Sequence, residues 1–515
     1  MSATPPITDQ VFKTVPYAHQ LEALTISRDK INYALLMEMG TGKTKVTIDT
    51  VSYLYGMGKI NALLVVAPKT ICRNWANKEI PTHLPEHVDR RVVLWRSENK
   101  TFLQELETLH ADEPMKLHVL VMNIEALATD RGYKEAKKFL NGHQAMMVVD
   151  ESTTIKTHNA QRTKKVIDLG AWARYRRILT GTPVTQSPLD VWSQFEFLEP
   201  GILGSSTWQG FRNQYAVLRK RVVNGRKFDE IVAFQRLDEL QKSLKEISFR
   251  ALKSECLDLP EKVYTVRYIE MTPKQKTYYE QMRDEAMAYL NGGPGELQLD
   301  MFDEDGNPIF ELLSNTTVPG DVVAAPLVIT QLLRLRQALC NIAPAETGWQ
   351  PIDTVDPRVD EVLEVLKQSG GQKAIIWANF IGSIELIQHR IQAEFGYDSV
   401  KCIMGSVKQK ERGNIVDEFQ DMNSPLKFIV AQPRTGGYGL TLTAATLVIY
   451  HDNDWSLEVR QQSEDRAHRI GQRNTVTYVD IVVPNTVDEK VRDALVIKKD
   501  LADRVTGDKL RELLS

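Results

Sequence analysis

The chain has 515 residues, of which 42% are hydrophobic and 25% are charged. These values are typical of globular proteins, and the length predicts two to four domains that each bury a core. The 64 Lys and Arg residues and 67 Asp and Glu residues give a net charge of −3. This balance excludes a basic field over the whole chain, so any contact with nucleic acid must come from a local patch.

Cysteine usage and the N-terminal sequence bear on the compartment. The four cysteines, Cys72, Cys256, Cys340 and Cys402, show no CxxC spacing, which predicts reduced and mostly buried thiols. The first residues carry neither a basic segment nor an apolar one, and no apolar run approaches the roughly 20 residues of a membrane span. We therefore expect a cytoplasmic protein without membrane association.

A candidate nucleotide-reading residue stands early in the chain. Gln20 precedes a helical segment over Leu21–Ser27. Its amide offers one donor and one acceptor, which match the edge of adenine when a phosphate loop follows. The alternative is a surface glutamine that opens a helix.

The phosphate loop itself is predicted within Leu35–Thr44, which reads LLMEMGTGKT. The apolar run predicts a strand, Gly40 and Gly42 a tight turn, and the residues after Lys43 a helix. Backbone N–H groups of such a turn, with Thr41 between the glycines, close on phosphate oxygens. Lys43 would reach the β- and γ-phosphates and the Thr44 hydroxyl would hold Mg²⁺. The first glycine of the full pattern is absent.

Further apolar runs of strand length follow, and each ends in polar residues. They are Ala62–Ala67, Leu117–Met122, Met146–Val149 and Arg177–Leu179. Such runs, alternating with helical segments, predict a parallel sheet with ligands beyond the carboxyl ends of its strands. After the third run, Asp150 suits the shell of Mg²⁺ and Glu151 can orient or deprotonate a water. A solvated strand end is the alternative interpretation.

A second alternating pattern begins at Lys373 and contains no second phosphate loop. Its predicted strands are Ala374–Trp377, Val400–Ile403, Lys427–Ala431, Leu447–Tyr450 and Val476–Val483, and its predicted helices include Ile384–Phe395 and Lys410–Phe419. Further on, Arg466 and Arg469 are three residues apart, so on a helix both would project from one face. These two guanidinium groups could contact a bound triphosphate in the manner of an arginine finger. The alternative is that the two arginines belong to a solvated helix face.

These motifs together resemble the Swi/Snf-type DNA-dependent ATPases of helicase superfamily two, in the order in which that family carries them. The resemblance rests on His19-Gln20, EMGTGKT (38–44), PKTICRNW (68–75), DESTTIK (150–156), LTGTPV (179–184), FRALKSECLDLPEK (249–262), LLRLRQALCN (332–341), WANF (377–380), MGS (404–406) with Glu411-Arg412, RTGGYGLTLTAA (434–445) and DRAHRIGQ (465–472).

The resemblance implies an α/β fold with two RecA-like parallel-sheet lobes, helical protrusions and a C-terminal brace helix. We expect an N-terminal ATP-binding lobe over residues 1–255 with a protrusion near 188–250. A C-terminal helicase lobe is expected over 256–483 with an insertion near 272–350, and the brace helix over 484–515. Within the protrusion, Trp192–Leu198 and Leu237–Phe249 are predicted helices, and a basic patch around 219–227 is either a DNA contact or a solvated helix end.

The family pattern also implies roles for individual residues. It assigns catalysis to Lys43, Glu151, Arg466 and Arg469; ATP binding to Gln20, Gly40, Thr41, Gly42, Lys43, Thr44 and Gly439; Mg²⁺ to Thr44 and Asp150; coupling to Thr153, Thr180, Gly181, Thr182 and Gln462; and DNA contacts to Lys69, Thr70, Asn123, Arg434 and Thr435.

Three departures from the family pattern are visible. Ser152-Thr153 stand where Ala-His is common, which bears on coupling between ATP and DNA. Gln432-Pro433 replace Ser-Thr before Arg434, and Thr441 replaces an Asn, so DNA contacts can differ without loss of the ATPase.

We therefore expect a monomeric translocase that uses ATP and Mg²⁺ to move along double-stranded DNA, remodelling DNA or protein–DNA complexes. Its phosphate contacts would be independent of sequence, and targeting would come from the protrusions or a protein partner. One alternative is a strand-separating or annealing helicase of the same superfamily. Another is an ATP-switched DNA-binding scaffold with little turnover.

Overall fold

The fold is taken from a computed structural model, which describes residues 11–96, 100–111, 113, 115–223, 226–291, 324–345, 348–436 and 440–508. The chain divides into two compact units. The first unit comprises Met1–Val217, Phe234–Leu257 and Leu501–Ser515, and the second comprises Leu218–Ala233 and Asp258–Asp500.

The first unit contains a seven-stranded parallel sheet. Its strands, in spatial order, are β3 (Arg90–Leu94), β4 (Leu117–Asn123), β2 (Ala62–Ala67), β5 (Ala145–Asp150), β6 (Tyr175–Leu179), β1 (Asn32–Met37) and β9 (Ser248–Ala251). In the register, Leu35 of β1 lies beside Leu179 of β6, which lies beside Asp150 of β5. The ends of these three strands therefore share one edge of the sheet.

The central strands of this sheet are buried on both faces. Along β2, Leu63 and Val65 pack into the cluster formed with the helix after β1, while Leu64 and Val66 on the opposite face are also fully buried. Continuous apolar strands of this kind are expected where helices cover a parallel sheet on both sides.

The helices of the first unit lie between these strands and after them. They are α1 (Ala18–Ser27), α2 (Lys43–Gly56), α3 (Lys69–Asn74), α4 (Ile80–His83), α5 (Lys100–Thr108), α6 (Ile124–Ala128), α7 (Asp130–Gly142), α8 (Gln161–Gly170), α9 (Val191–Leu198), α10 (Trp208–Tyr215), α11 (Leu237–Ile247) and α12 (Lys253–Cys256). A single π-helical turn, Trp75–Glu79, joins α3 to α4, and 3₁₀ turns occupy Ser152–Ile155 and Pro188–Asp190.

The second unit contains a six-stranded parallel sheet. Its strands, in spatial order, are β10 (Lys262–Tyr268), β17 (Val476–Val482), β16 (Leu447–Tyr450), β13 (Ala374–Trp377), β15 (Phe428–Ala431) and β14 (Val400–Ile403). Along β13, Ala374 and Ile376 pack into one core cluster, whereas Ile375 and Trp377 pack into the other. This strand is therefore buried on both faces.

The remaining helices surround the second sheet or end the chain. They are α13 (Pro273–Asn291), α14 (Ala324–Leu339), α15 (Pro357–Gln368), α16 (Ile381–Phe395), α17 (Gln409–Gln420), α18 (Pro433–Gly436), α19 (Leu457–Glu464) and α20 (Val487–Thr506), with a 3₁₀ turn at Tyr397–Ser399. Among the residues described, no helix is both long enough and apolar enough to span a membrane.

Two small sheets complete the structure. They are β7 (Ala216–Val223) with β8 (Arg226–Phe234), and the antiparallel pair β11 (Ile342–Ala345) with β12 (Gly348–Pro351). The basic patch near 219–227 thus lies on strands, so its interpretation as a helix end is wrong.

The predicted helix over Leu237–Phe249 is also wrong at its end. The helix stops at Ile247, and the next four residues form β9, which pairs with β1 from Ala34 to Met37. The sequence pattern does not predict this pairing, because the residues around β1 give no sign of a partner strand that follows more than 200 residues later. The predicted fold class is nevertheless confirmed: the chain forms two parallel-sheet α/β units with many helices.

Candidate functional site

The phosphate loop joins β1 to α2 with the backbone that its glycines predict. Gly40 has φ of +85° and Gly42 has φ of +94°, both in the left-handed region. A Cβ atom on Gly42 would lie 2.1 Å from Nε2 of Gln20, so a side chain there would have to displace the Gln20 amide from the loop. The Lys43 ammonium lies inside the loop, where Nζ donates to the Met37 carbonyl at 2.8 Å. Thr44 follows in the first turn of α2 and is half-buried.

Gln20 and its neighbour His19 hold this loop from outside. Nε2 of Gln20 donates to the Thr41 carbonyl at 3.0 Å, and Nε2 of His19 donates to the same oxygen at 2.7 Å. Oε1 of Gln20 accepts from the Tyr17 backbone N–H at 3.0 Å. The Gln20 amide therefore uses one N–H donor and one oxygen lone pair in bonds to the backbone. Its second N–H and second lone pair remain for an adenine base.

Asp150 ends β5 with its carboxylate buried against an indole. Oδ2 accepts from Nε1 of Trp75 at 2.7 Å, and Oδ1 accepts from the Glu151 backbone N–H at 2.9 Å. Burial raises the pKa of this carboxyl, and the Trp75 bond and the Lys43 charge oppose that rise. Sequence reasoning missed Trp75, although it closes the PKTICRNW motif; a buried carboxylate needs a donor, and the pattern does not say which residue supplies it.

The residues after Asp150 leave the sheet in an unusual conformation. Glu151 has φ of +49°, a left-handed backbone that non-glycine residues rarely adopt and that occurs often at functional sites. Oγ of Ser152 donates to Oε1 of Gln194 at 2.7 Å. Thr153 is buried, and its hydroxyl has no hydrogen-bond partner among the described residues.

The predicted coupling motif lies against the phosphate loop. The hydroxyl of Thr180 accepts from the Thr182 backbone N–H at 3.1 Å. A Cβ atom on Gly181 would lie 3.2 Å from the Met39 backbone nitrogen, so the two loops approach closely enough to favour glycine at this position. A change in the conformation of either loop would therefore displace residues of the other.

Arg250 on β9 connects these loops; the segment FRALKSECLDLPEK contains it, but sequence reasoning gave it no role. One terminal nitrogen donates to the Leu36 carbonyl at 2.9 Å and to the Gly181 carbonyl at 2.8 Å. Its other two nitrogens bind the Asp508 carboxylate at 3.0 and 2.6 Å. The two side chains are about nine-tenths buried. Such bidentate, charge-assisted pairs fix geometry as well as contributing energy.

In the second unit, the predicted arginine pair does not lie on a helix. The helix α19 ends at Glu464, and Arg466 and Arg469 lie in the turns that follow. The two side chains still converge, because each donates to the Leu440 carbonyl, Arg466 at 3.2 Å and Arg469 at 3.3 Å. The expected shared helix face is wrong, since the chain turns after Glu464.

Of the two other predicted site residues of the second unit, Gln462 lies within the described residues and Gly439 does not. Gln462 is buried in α19, and its Nε2 donates to Oε1 of Glu458 at 3.1 Å. The backbone oxygen of Gln462 also accepts from Nε of Arg466 at 3.0 Å. Gly439 lies outside the described residues.

The predicted DNA-contacting residues of the first unit stand at one edge of the sheet. Lys69 and Thr70 are exposed in the first turn of α3, just after β2. Asn123 ends β4 and lies beside Ala67 of β2 in the register. Its amide donates to Oε2 of Glu125 at 2.8 Å.

In the second unit, Arg434 is exposed in the short helix α18, where Thr435 follows it. Its guanidinium binds the Asp454 carboxylate through Nε at 3.0 Å and through a terminal nitrogen at 3.2 Å. A ligand phosphate would have to compete with this carboxylate for the arginine.

The helix that begins at the phosphate loop also carries a buried titratable group. Asp49 is 1% exposed, and Oδ2 accepts from Nζ of Lys45 at 2.8 Å. Burial raises the pKa of the Asp49 carboxyl from 3.8 to about 6, which Lys45 only partly opposes. The folded state therefore binds this proton more tightly than the unfolded chain, and the stability that protonated Asp49 contributes is lost as the pH rises from about 4 to about 6.

We expect Asp49→Asn to remove this dependence. The free energy of unfolding of the variant, measured by urea denaturation relative to the wild type, should rise between about pH 4 and pH 6 and then level off. Lys45→Met should move the upper end of that window to higher pH, because Lys45 lowers the Asp49 pKa. A difference between Asp49→Asn and wild type that stays constant with pH would contradict this assignment.

Two family models match the chain: the SNF2-related domain over residues 19–308 and the helicase conserved C-terminal domain over residues 357–471. Among similar proteins, Protein CHROMATIN REMODELING 24 of Arabidopsis thaliana is 26% identical over 98% of this chain and 48% of its own length. An uncharacterized ATP-dependent helicase, MG018, of Mycoplasma genitalium is 26% identical over 91% of this chain and 39% of its own length.

A third relative, the probable ATP-dependent DNA helicase CHR12 of Arabidopsis thaliana, is 26% identical over 92% of this chain and 40% of its own length. The chain thus spans less than half the length of these relatives. The solved SWI2/SNF2 ATPase core of Sulfolobus solfataricus in complex with dsDNA is 21% identical, covers 98% of this chain and 96% of that chain, and has a TM-score of 0.41. The motif order predicted this grouping, and the SNF2-related model, which spans more than half of the residues, confirms that the chain belongs to the SNF2-related domain family.

Proposed function

We propose that the chain is a DNA-stimulated ATP hydrolase that moves along double-stranded DNA. The observation that carries the proposal is the convergence of the phosphate loop and the Asp150-Glu151 pair at one sheet edge. Leu35, Leu179 and Asp150 lie in one row of the register, and the Lys43 charge acts on the pKa of the Asp150 carboxyl. Phosphate binding and a water-activating carboxylate are the two parts that ATP hydrolysis needs.

The donor set at this edge fits the cofactors ATP and Mg²⁺. Mg²⁺ prefers oxygen ligands, and the Thr44 hydroxyl and the Asp150 carboxylate are of that class. The Asp150 carboxylate ends its strand at the sheet edge that carries the phosphate loop, and the Lys43 charge acts on its pKa. The ion would neutralise charge on the phosphates. Lys43 and the loop N–H groups orient the triphosphate, and Glu151 orients the attacking water and receives its proton.

We expect Glu151→Gln to abolish turnover while ATP binding is retained, because the amide keeps the shape of the carboxylate but cannot accept a proton. The loss of general-base catalysis corresponds to a factor of about 10²–10⁴ in kcat. Hydrolysis in the presence of duplex DNA and binding of a fluorescent ATP analogue measure the two quantities. Lys43→Ala serves as the contrasting variant, since it should lose both. If Glu151→Gln lost nucleotide binding as completely as Lys43→Ala does, its role in activating water would be wrong.

We also propose that the arginine pair of the second unit, Arg466 and Arg469, acts as arginine fingers in ATP hydrolysis. Arg466 and Arg469 share the Leu440 carbonyl, so the two guanidinium groups are held near each other. Arginine fingers stabilise charge that develops on the transferred phosphoryl group. We assign that role to both residues, with Gln462 fixing Arg466 through its backbone oxygen.

DNA is the proposed stimulating partner, and its contacts are proposed to be with phosphates. In the first unit, Lys69 and Thr70 are exposed where α3 begins, so a cation, a hydroxyl and a helix N-terminus stand together, with Asn123 on the neighbouring strand. Arg434 and Thr435 are the corresponding residues of the second unit. Relatives described as ATP-dependent DNA helicase and chromatin remodelling protein support a DNA substrate. Phosphate contacts would make binding independent of sequence.

Lys69→Ala tests this surface. We expect weaker binding to all duplex sequences equally, and a slope of log affinity against log salt that is smaller by about one, because one phosphate contact is lost. Lys59→Ala is a matched control, since Lys59 stands before β2, at the opposite end of the same strand, and pairs with Asp29 at 3.0 Å. Equal effects of the two substitutions would argue against a phosphate contact at Lys69.

A comparison of DNA substrates distinguishes the translocase from the two alternatives, a strand-separating or annealing helicase and an ATP-switched scaffold. We expect duplex DNA to stimulate ATP hydrolysis and the protein to displace the third strand of a triplex, since movement along a duplex does not require separation of its strands. A tailed duplex tests for strand separation, and complementary single strands test for annealing. Efficient unwinding without triplex displacement would favour the strand-separating helicase. Undetectable hydrolysis with every DNA would favour the ATP-switched scaffold.

A further inference from the structure

The segment that follows β9 runs along the phosphate loop. After β9 has paired with β1, the Ala251 carbonyl accepts from the Glu38 backbone N–H at 2.9 Å. Two residues later, the Lys253 backbone N–H donates to Oε2 of Glu38 at 2.7 Å. This segment therefore engages both the backbone and the carboxylate of Glu38, which stands within the EMGTGKT motif.

The side chain of Lys253 extends over the first glycine of the loop. Its Cε atom lies 3.9 Å from the position that a Cβ atom on Gly40 would take, so only one bond separates this contact from the ammonium. Lys253 is 5% exposed, and a lysine is rarely buried to this extent unless its charge has a partner. Lys43 is held on the inner side of the same loop by the Met37 carbonyl. Two lysines thus flank one phosphate loop.

We propose that Lys253 is a second lysine that contacts the polyphosphate of ATP. The inference rests on the proposed function of the loop and adds a binding residue from outside the phosphate-loop motif. A lysine ammonium acts on phosphate as a compact point charge with three donors. The Glu38 carboxylate opposes an anionic ligand at this loop, and the segment that carries Lys253 is hydrogen-bonded to that carboxylate through its backbone. Lys253 therefore adds positive charge where the loop sequence itself carries a negative one.

A contact with phosphate distinguishes nucleotides by their charge. Lys253→Met keeps the length of the side chain and removes the ammonium, and it leaves the backbone bond to Glu38 in place. We expect it to weaken binding of a fluorescent ATP analogue by about ten- to a hundredfold, the range of a charge-assisted hydrogen bond. Binding of the corresponding AMP analogue should change much less, because the base and ribose contacts remain. Lys253→Arg should restore most of the affinity for the ATP analogue.

Lys245→Met is the matched control, since Lys245 is exposed in α11 of the same unit. Lys253→Gln is a second neutral variant with a polar end, and it serves if Lys253→Met lowers the melting temperature. Wild-type affinity for the ATP analogue in a folded neutral variant would overturn the inference, and so would an equal loss for the ATP and AMP analogues. A wild-type protein that binds no ATP analogue would instead overturn the proposed function.

Discussion

The parallel direction of the strands in the first sheet is the constraint on which the rest of the candidate site depends. Because β1, β6 and β5 run the same way and share a register row at Leu35, Leu179 and Asp150, the loops that follow them meet at one edge. Burying the Asp150 carboxylate at that edge is unfavourable unless donors face it, and the Trp75 indole and the Glu151 N–H supply them. Glu151, whose N–H is one of these donors, has a left-handed backbone with φ of +49°.

Arg250 extends this edge to a later part of the chain. A guanidinium that is nine-tenths buried destabilises a fold unless its charge is matched, and Asp508 provides the carboxylate. The same guanidinium also donates to the Leu36 and Gly181 carbonyls, which adjoin the phosphate loop and the predicted coupling motif. Loss of Asp508 would leave a buried cation between these loops. The geometry of the first unit's site therefore depends on a residue close to the end of the sequence.

Local patterns predicted most of the two sheets, because fully buried strands such as Ala62–Ala67 and Ala374–Trp377 are continuous apolar runs. They missed β3, β9 and β10, whose residues are mostly half-exposed or exposed. The partners of β9 and β10 are also distant in the sequence. Motifs likewise identified the phosphate loop, whose function lies in consecutive residues. The segments PKTICRNW and FRALKSECLDLPEK contain Trp75, Arg250 and Lys253, but the motifs gave these residues no role, because their contacts exist only in the tertiary structure. The turn after Glu464 was missed for a related reason: a three-residue spacing is compatible with a helix but does not require one.

The cations of the candidate sites share a feature that bears on how phosphate would bind. Lys43 donates to the Met37 carbonyl, Arg434 to the Asp454 carboxylate, and Arg466 and Arg469 to the Leu440 carbonyl. Phosphate binding at any of them would therefore exchange existing hydrogen bonds for bonds to phosphate, and the net gain would be the difference in free energy between the two sets. A carbonyl is a weaker partner for a cation than a phosphate, whereas a carboxylate is a comparable one. The exchange should thus favour phosphate strongly at Lys43 and only weakly at Arg434, which agrees with the proposed roles of a nucleotide site at Lys43 and a weaker, reversible phosphate contact at Arg434.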